Sequence, residues 1–166
     1  LGDTVTLVKY KETGNVELIE NPNQKIVCKN DKDVLKRAQE IAKEKNISIK
    51  DTRQIPEIIK ALQINRTKKN CECDGGYWIA STNEEAVEYG VTIDLDNSQI
   101  EGVILASDGL DYSILGLDDN QAYKIIQDKG FEYLLNMIRE EQLKDEDYNK
   151  HPRFKMSDDA SGIFLE

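Results

Sequence analysis

The sequence predicts an α+β fold, in which antiparallel strands pair with one another and helices pack against them. Residues 5–19 place apolar side chains on either side of a glycine-containing turn, which is typical of a β-hairpin. Residues 31–45, 118–129 and 131–143 carry apolar side chains at spacings of three and four, which is typical of amphipathic helices. Short apolar runs at 102–106 and 162–165 predict two further strands.

Length, charge and cysteine content limit the classes of protein that this chain fits. Its 166 residues, 39% of them hydrophobic, predict a single domain over residues 1–166. No apolar run approaches the roughly 18 residues of a membrane span, and no signal peptide is recognised. A net charge of −10 argues against nucleic acid or an anionic membrane as a partner. Three cysteines without a signal sequence predict a reducing compartment, and therefore a cytoplasmic protein.

The N-terminal third is predicted to be a hairpin followed by two helices. Residues 5–10 and 16–19 form the hairpin strands; the first strand has no lead-in and no initiator Met, which predicts that the chain begins inside a fold. Lys25-Ile26-Val27-Cys28 is a candidate for a further short strand. The helix over 31–45 has Asn30 and Asp33 as its capping signal. A second helix spans about 54–66, with Pro56 in its first turn. The residues expected to face inward on these two helices are Val34, Leu35, Ala38, Ile41, Ala42, Ile55, Ile58, Ile59 and Leu62.

Cys71-Glu72-Cys73 is the first possible metal motif. Two thiols could bind a soft metal, but a zinc site needs about four ligands, and neither a second Cys pair nor a His is near. A loop with two reduced thiols is therefore favoured. Gly75-Gly76 lacks the Lys and Ser/Thr of a phosphate-binding loop, so a flexible turn is favoured there.

The middle of the chain is predicted to supply neighbours for the strand at 102–106. Residues 77–81, which contain the only Trp, and residues 91–95 have the composition of strands. A short helical turn over 83–90, ended by Gly90, separates them. The order of these segments predicts local antiparallel pairing.

Two acidic segments adjoin predicted strands. Asp108 and Gly109 follow the strand at 102–106, and Asp158 and Asp159 precede the strand at 162–165. A strand end with an Asp-Gly turn is the alternative interpretation of the first segment. Two carboxylates at the tips of two buried strands can converge on one hard cation, which prefers oxygen ligands. Gly109 would allow a sharp turn or a close approach beside the acid.

The segment between the last helix and the second acidic pair is expected to be solvated over 144–150. His151, the only His, is interpreted as a surface residue more readily than as a general base. Arg153 and Lys155 either orient anions or are surface cations beside an acidic patch.

An ordered set of segments resembles metal-dependent protein phosphatases of the 2C type, and their compact bacterial members in particular. The match runs in order along nearly the whole chain. Its segments are Gly2-Asp3-Thr4, Tyr77-Trp78-Ile79, Leu105-Ala106-Ser107-Asp108-Gly109, the helix from Gly130-Phe131 with Met137-Ile138-Arg139-Glu140-Glu141, and Asp158-Asp159-Ala160-Ser161.

The resemblance implies an α-β-β-α sandwich of two antiparallel sheets flanked by helices. It also implies hydrolysis of phosphoserine and phosphothreonine in a phosphoprotein by a water that bridges two Mn²⁺ or Mg²⁺ ions. Asp108 and Asp158 match two of the family's metal-binding carboxylates, with Gly109 and Asp159 beside them. Two cations would neutralise the phosphoryl oxygens and lower the pKa of the bridging water.

The chain departs from the family pattern at its N-terminus. The family's Asp-Gly-x-Gly segment, which bridges both metals, and its phosphate-binding Arg precede the hairpin, and neither is in this sequence. Asp74-Gly75-Gly76 comes too late in the order to replace the first. Glu20 and Asn21 lie where many relatives carry an acid tied to a third metal. The resemblance therefore predicts a domain that is incomplete at its N-terminus, with half a metal site, inactive alone and open to association through its sheet edges.

Two functions follow from these observations as hypotheses. The first is a fragment of a serine/threonine protein phosphatase. The second is a non-catalytic phosphatase-like module that binds a partner, or binds a cation weakly. An Asp-Gly-x-Gly segment and an Arg upstream in the parent gene would favour the enzyme.

Overall fold

A computed structural model describes residues 4–19 and 22–166. Gly2 and Asp3 of the hairpin motif, and Glu20 and Asn21, lie outside the described residues. Helices and one antiparallel sheet make up the described part, which confirms the α+β class. The strands are β1 (Val5–Tyr10), β2 (Val16–Leu18), β3 (Ile100–Ala106) and β4 (Gly162–Leu165). The helices are α1 (Pro22–Lys45), α2 (Ile49–Thr52), α3 (Pro56–Thr67), α4 (Asp119–Lys129) and α5 (Phe131–Lys144).

The described chain divides into two compact units. Unit 1 comprises residues 22–90 and 143–156, and unit 2 comprises residues 4–19, 91–142 and 157–166. The prediction of one domain over 1–166 stays a prediction. Within the described ranges, no helix combines the length and the apolar character needed to cross a membrane.

The sheet belongs to unit 2 and is organised around β3. Its strands run in the order β2-β1-β3-β4, and every neighbouring pair is antiparallel. The β1–β2 pair confirms the predicted hairpin. The two partners of β3 come from opposite ends of the chain, so the predicted local pairing of β3 with residues 77–81 and 91–95 is wrong.

Side chains explain why residues 77–81 do not form a strand. The backbone N–H of Trp78 donates to the Asn23 side chain at 2.9 Å, and that of Ile79 donates to the Asn70 side chain at 2.8 Å. Because these N–H groups are already satisfied, they do not need a strand partner. Trp78 is buried and stacks on Tyr89, with ring centroids 3.8 Å apart.

Residues 91–95 are also not a strand. Val91 is 56% exposed and Ile93 is 49% exposed, so the alternating apolar side chains are not half-buried as the pattern predicted. The positions beside β3 are occupied by β1 and β4 instead. Residues 91–95 have the alternating pattern of a strand, but the long-range pairing of β3 with β1 and β4 prevents them from pairing with β3.

Helices α4 and α5 cover one face of the sheet, as their periodicity predicted. Asp118 begins α4 with a reciprocal capping box, in which Gln121 N donates to Asp118 at 2.8 Å and Asp118 N donates to the Gln121 side chain at 2.9 Å. Gly130 ends α4 with a φ of +85°, where glycine is favoured. The fully buried residues of this core are Leu7, Ile104, Ala106, Leu110, Ala122, Tyr123, Ile126, Leu134 and Ile138.

Unit 1 is helical, and α1 is longer than predicted. Lys25–Cys28 lies inside α1 and is not a strand. Asn30 is not a cap either: it is buried in the middle of α1, where its side chain donates to Gly75 O at 2.8 Å and its backbone O accepts from Asn65 at 3.0 Å. The sequence pattern assigned Asn30 to capping, but its tertiary hydrogen bonds explain why an Asn lies inside the helix. A short helix, α2, precedes α3, which has Pro56 in its first turn as predicted but begins at Pro56 and not at about residue 54.

The inward faces of α1 and α3 meet largely as predicted. Val34, Ala38 and Ile41 pack with Ile58 in one apolar cluster, and Ile55, Leu62 and Phe154 pack against it. Ile59, which was also predicted to face inward, is 41% exposed. Only part of the apolar stripe of α3 is therefore covered.

Asp145 and Arg153 hold the end of unit 1 together. The Arg153 guanidinium donates to the Asp145 carboxylate at 2.6 Å, to Asp145 O at 2.9 Å and to His151 O at 2.8 Å. It also lies 4.1 Å from the centroid of the Tyr148 ring. Asp145 and Tyr148 are buried, so the predicted solvation of residues 144–150 is wrong at these two positions.

The hydrogen bonds of Asp145 stabilise its charged form. Burial favours a higher pKa for this carboxyl, but the backbone N–H groups of Lys150 and His151 and the Arg153 guanidinium outweigh burial and lower the pKa to about 2. Arg153 is therefore an internal partner of Asp145 and not the anion-orienting residue that was one of its two interpretations.

Asp145→Asn should lower the free energy of unfolding by about 2–3 kcal/mol at neutral pH, because it removes the buried charge that Arg153 faces. The Asp145 pKa is depressed from its ordinary value of about 3.9, so this stabilisation is complete above about pH 4. It is lost as the pH falls toward 2. Urea unfolding at several pH values measures the difference between variant and wild type.

The exposed Asp147 provides the control for this prediction. Asp147→Asn should change stability by less than about 0.5 kcal/mol. A difference between Asp145→Asn and wild type that stays constant down to the lowest accessible pH would contradict the assigned role of the carboxylate.

Candidate functional site

The pairing of β3 with β4 brings the two acidic segments to the same end of the sheet. The last pair in the register joins Ala106, the final residue of β3, to Gly162, the first residue of β4. The segment that leaves β3 and the segment that enters β4 therefore begin side by side. Asp108 belongs to the first segment and Asp158 to the second, so antiparallel pairing explains why two distant stretches of sequence meet.

Ser107 ties the two segments together beyond the sheet. Its backbone N–H donates to Ser161 O at 2.9 Å, and its Oγ accepts from the Ser161 backbone N–H at 3.0 Å. The same hydroxyl lies 3.4 Å from Asp159 O, to which it donates. The two segments are thus joined by backbone and side-chain bonds and do not rely on a metal ion to approach each other.

Gly109 allows the closest approach between the segments. A Cβ at this position would overlap the carbonyl group of Asp159 and come within 3.2 Å of the Ala160 Cα. Gly109 is buried, and Leu110 behind it is 4% exposed. The close approach that was suggested for Gly109 from the sequence is therefore made to the backbone of the second acidic segment.

Helix α5 contacts the second acidic segment through Arg139. The Arg139 guanidinium donates to the carbonyl oxygen of Asp158 and, at 2.8 Å, to the Gln142 side chain. The Asp158 carboxylate accepts the backbone N–H of Asp159 at 3.0 Å. Arg139 was recognised in the sequence only as part of a similar helix; its position relative to Asp158 depends on tertiary structure, which no local pattern specifies.

The four predicted site residues differ in exposure. Asp108 and Asp159 are exposed, Asp158 is half-buried and Gly109 is buried. The expectation of two buried strands holds for β3, which is buried at alternate positions. It is wrong for β4, an edge strand in which Ile163 is 50% and Leu165 51% exposed.

The donor set limits what the site can hold. Within residues 4–19 and 22–166, no three His, Cys, Asp or Glu side chains are grouped so as to bind a metal ion. Two carboxylates fit a hard cation such as Mg²⁺ or Mn²⁺ that keeps several of its waters. A pair of cations would need further ligands, so the chemistry of these residues fits half of a two-metal site.

Cys71 and Cys73 are joined in a disulfide, and the expected loop with two reduced thiols is therefore wrong. Their Cα atoms are 5.3 Å apart, within the range that a disulfide can span. Glu72 between them accepts a hydrogen bond from the Tyr89 hydroxyl, and Tyr89 stacks on Trp78. The resemblance segment Tyr77-Trp78-Ile79 thus lies in an aromatic cluster in unit 1 and not in a strand.

Comparisons of this chain with protein-family models, with curated proteins and with solved structures find no match. The resemblance described above therefore depends on the quoted segments and on the way the fold brings two of them together.

Gly109→Ala should separate the two acidic segments, because the added methyl group overlaps the Asp159 carbonyl. We expect a loss of about 1–3 kcal/mol in the free energy of unfolding, typical of overpacking. Amide hydrogen exchange should become faster at Ser107 and Ser161, whose N–H groups bond across the two segments.

Gly116→Ala is the matched control. Gly116 has open space around it but a φ of +70°, so alanine should cost only about 1 kcal/mol through backbone strain. The exchange of Ser107 and Ser161 should not change in that variant. Unchanged exchange in Gly109→Ala would show that Gly109 does not hold the segments together.

Proposed function

We propose that this chain is the C-terminal part of a metal-dependent serine/threonine protein phosphatase of the 2C type. The observation that carries the proposal is the meeting of Ser107-Asp108-Gly109 with Asp158-Asp159-Ala160-Ser161 at one end of the sheet. These are the two segments whose acids match metal ligands in the family. They lie far apart in sequence, and the resemblance requires that they meet in the fold.

In this proposal, Asp108 and Asp158 are metal ligands for Mn²⁺ or Mg²⁺. When bound, such a cation neutralises phosphoryl oxygens and lowers the pKa of a coordinated water. The chain's own residues hold the acids in place: Ser107 and Gly109 join the two segments, and Arg139 fixes the Asp158 carbonyl. Positioning of this kind is the main contribution that a protein makes to phosphoryl chemistry.

The two faces of the sheet support the α-β-β-α sandwich as the architecture of the parent. One face packs on α4 and α5. The other face is also apolar: the register places Val8, Val103 and Leu165 side by side across three strands, with Leu105 beside Ile163. Val8 is already fully buried on this face, and the exposed part is at β4, where Ile163 and Leu165 are half exposed. A second sheet from the parent chain could cover that part.

A non-catalytic phosphatase-like module is the second candidate. The observation that favours it is the two-carboxylate donor set, since the described residues supply no third metal-ligating side chain at the site. Edge strand β4 would then be a surface for association, because none of the described strands pairs with its outer backbone edge.

Hydrolysis of p-nitrophenyl phosphate with excess Mn²⁺ distinguishes the two functions. The isolated chain should show no metal-dependent turnover, because half a site neither positions nor stabilises the phosphoryl group. The parent protein should be active, and Asp108→Asn in the parent should reduce kcat by at least about a hundredfold, comparable to the loss of an essential electrostatic group.

Each outcome of this assay favours or contradicts one of the two candidate functions. An inactive parent that still folds would favour the binding module. Metal-dependent turnover by the isolated chain that Asp108→Asn abolishes would contradict the half-site account. Asp147→Asn, an exposed acid in unit 1, serves as the control and should leave the parent's activity unchanged.

A further inference from the structure

We propose that a groove between α1 and α3 in unit 1 binds an acidic peptide segment of a partner protein, one that carries a bulky apolar side chain. This inference is independent of the phosphatase proposal and concerns a different part of the chain. The groove has a cavity volume of about 510 Å³, which is large enough for one or two side chains of a peptide.

The floor of the groove is apolar. Val27 and Leu35 from α1 and Leu62 from α3 line it, and Tyr77 and Phe154 close its sides. All five side chains are half-buried, so they remain accessible to a ligand while being held by the unit. An apolar floor of this kind suits the anchoring side chain of a bound peptide.

The rim of the groove is positively charged. Lys32, Arg53, Arg66 and Lys155 line it, and Asp31 contributes a negative charge. Arg153 also lines the groove, but its charge is opposed by Asp145 at 2.6 Å. A local excess of positive charge is unusual in a chain with a net charge of −10, and it favours an anionic ligand.

The wall formed by residues 153–155 is fixed in position. Arg53 donates to Phe154 O at 3.0 Å, and Arg153 donates to Met156 O at 3.2 Å. Because Arg53, at the end of α2, already holds Phe154 in place, binding would not need to order the wall. A preformed groove lowers the entropic cost of association.

The charge of the whole chain favours an acidic peptide over a nucleic acid. A nucleic acid carries a dense, continuous line of phosphates, which the acidic surface outside the groove would repel. A short acidic peptide places its charges only next to the rim. The apolar side chain of the peptide would pack against the apolar floor of the groove. A nucleic acid has no aliphatic side chain to place there.

Fluorescence anisotropy with short fluorescein-labelled peptides tests the proposal on the full chain. In the probe peptide, Asp and Glu flank a central Leu-Phe pair. Its affinity should fall roughly tenfold in the double variant Lys32→Glu with Arg66→Glu, since two rim charges are reversed. Replacing Leu-Phe by Ala-Ala in the probe should also weaken binding, because the apolar floor is left unfilled.

The matched control is Lys36→Glu with Lys60→Glu. It makes the same change in charge on the same two helices, at exposed positions outside the groove. We expect less than about a twofold effect, the size of a screened long-range interaction. Equal losses in the two double variants would show diffuse attraction to the surface and would overturn the proposal.

Cys28 provides a second measurement that does not depend on substitutions. It lines the groove and is exposed, so an alkylating reagent can reach it. The acidic probe should slow its alkylation, measured by mass spectrometry of the fragment that contains Cys28. Binding without protection of Cys28, tighter binding of a single-stranded RNA oligomer, or no binding of the acidic probe would each overturn the assignment.

Discussion

The antiparallel pairing of β3 with β4 is the constraint on which the candidate site depends. It places Ala106 opposite Gly162 and so brings Ser107 next to Ser161. Backbone hydrogen bonds in such a ladder have a fixed register, and a slip by one residue would turn every side chain to the other face. Phe164 packs into the core on α4 and α5, which fixes that register. The proximity of the two acidic segments is therefore a consequence of core packing and not of an interaction between the acids.

Each unit contains a polar arrangement that holds connecting segments in place. In unit 2, Ser107 and Gly109 join the acidic segments, and Arg139 contacts the second from α5. In unit 1, Asp145 and Arg153 join residues 145–156 and so fix one wall of the cationic groove. In both cases a polar group is satisfied by specific hydrogen bonds, because leaving it unsatisfied while buried would be costly.

Local signals in the sequence predicted the elements that local physics determines. The hairpin, the end of α4 at Gly130 and the inward face of α5 are explained by neighbouring residues. The capping box at Asp118 is equally local, but it was not predicted. The failures concern long-range partners. The side chains of Asn23 and Asn70 accept the N–H groups of Trp78 and Ile79, and β1 and β4 occupy both sides of β3. The acids of the site could be named from sequence, but the contacts of Ser107, Gly109 and Arg139 that position them could not.

We propose that Asp108 and Asp158 together hold a divalent cation, and the thermal stability of the chain with and without Mn²⁺ tests this metal assignment most directly. A ligand that binds only the folded state raises the melting temperature by mass action. Millimolar Mn²⁺ should raise the melting temperature of the wild type slightly. Asp108→Asn and Asp158→Asn should each remove that rise, because each takes away one of two ligands, while the exposed Asp147→Asn should keep it. An equal response to Mn²⁺ in all four proteins would contradict the metal assignment and leave only the fold.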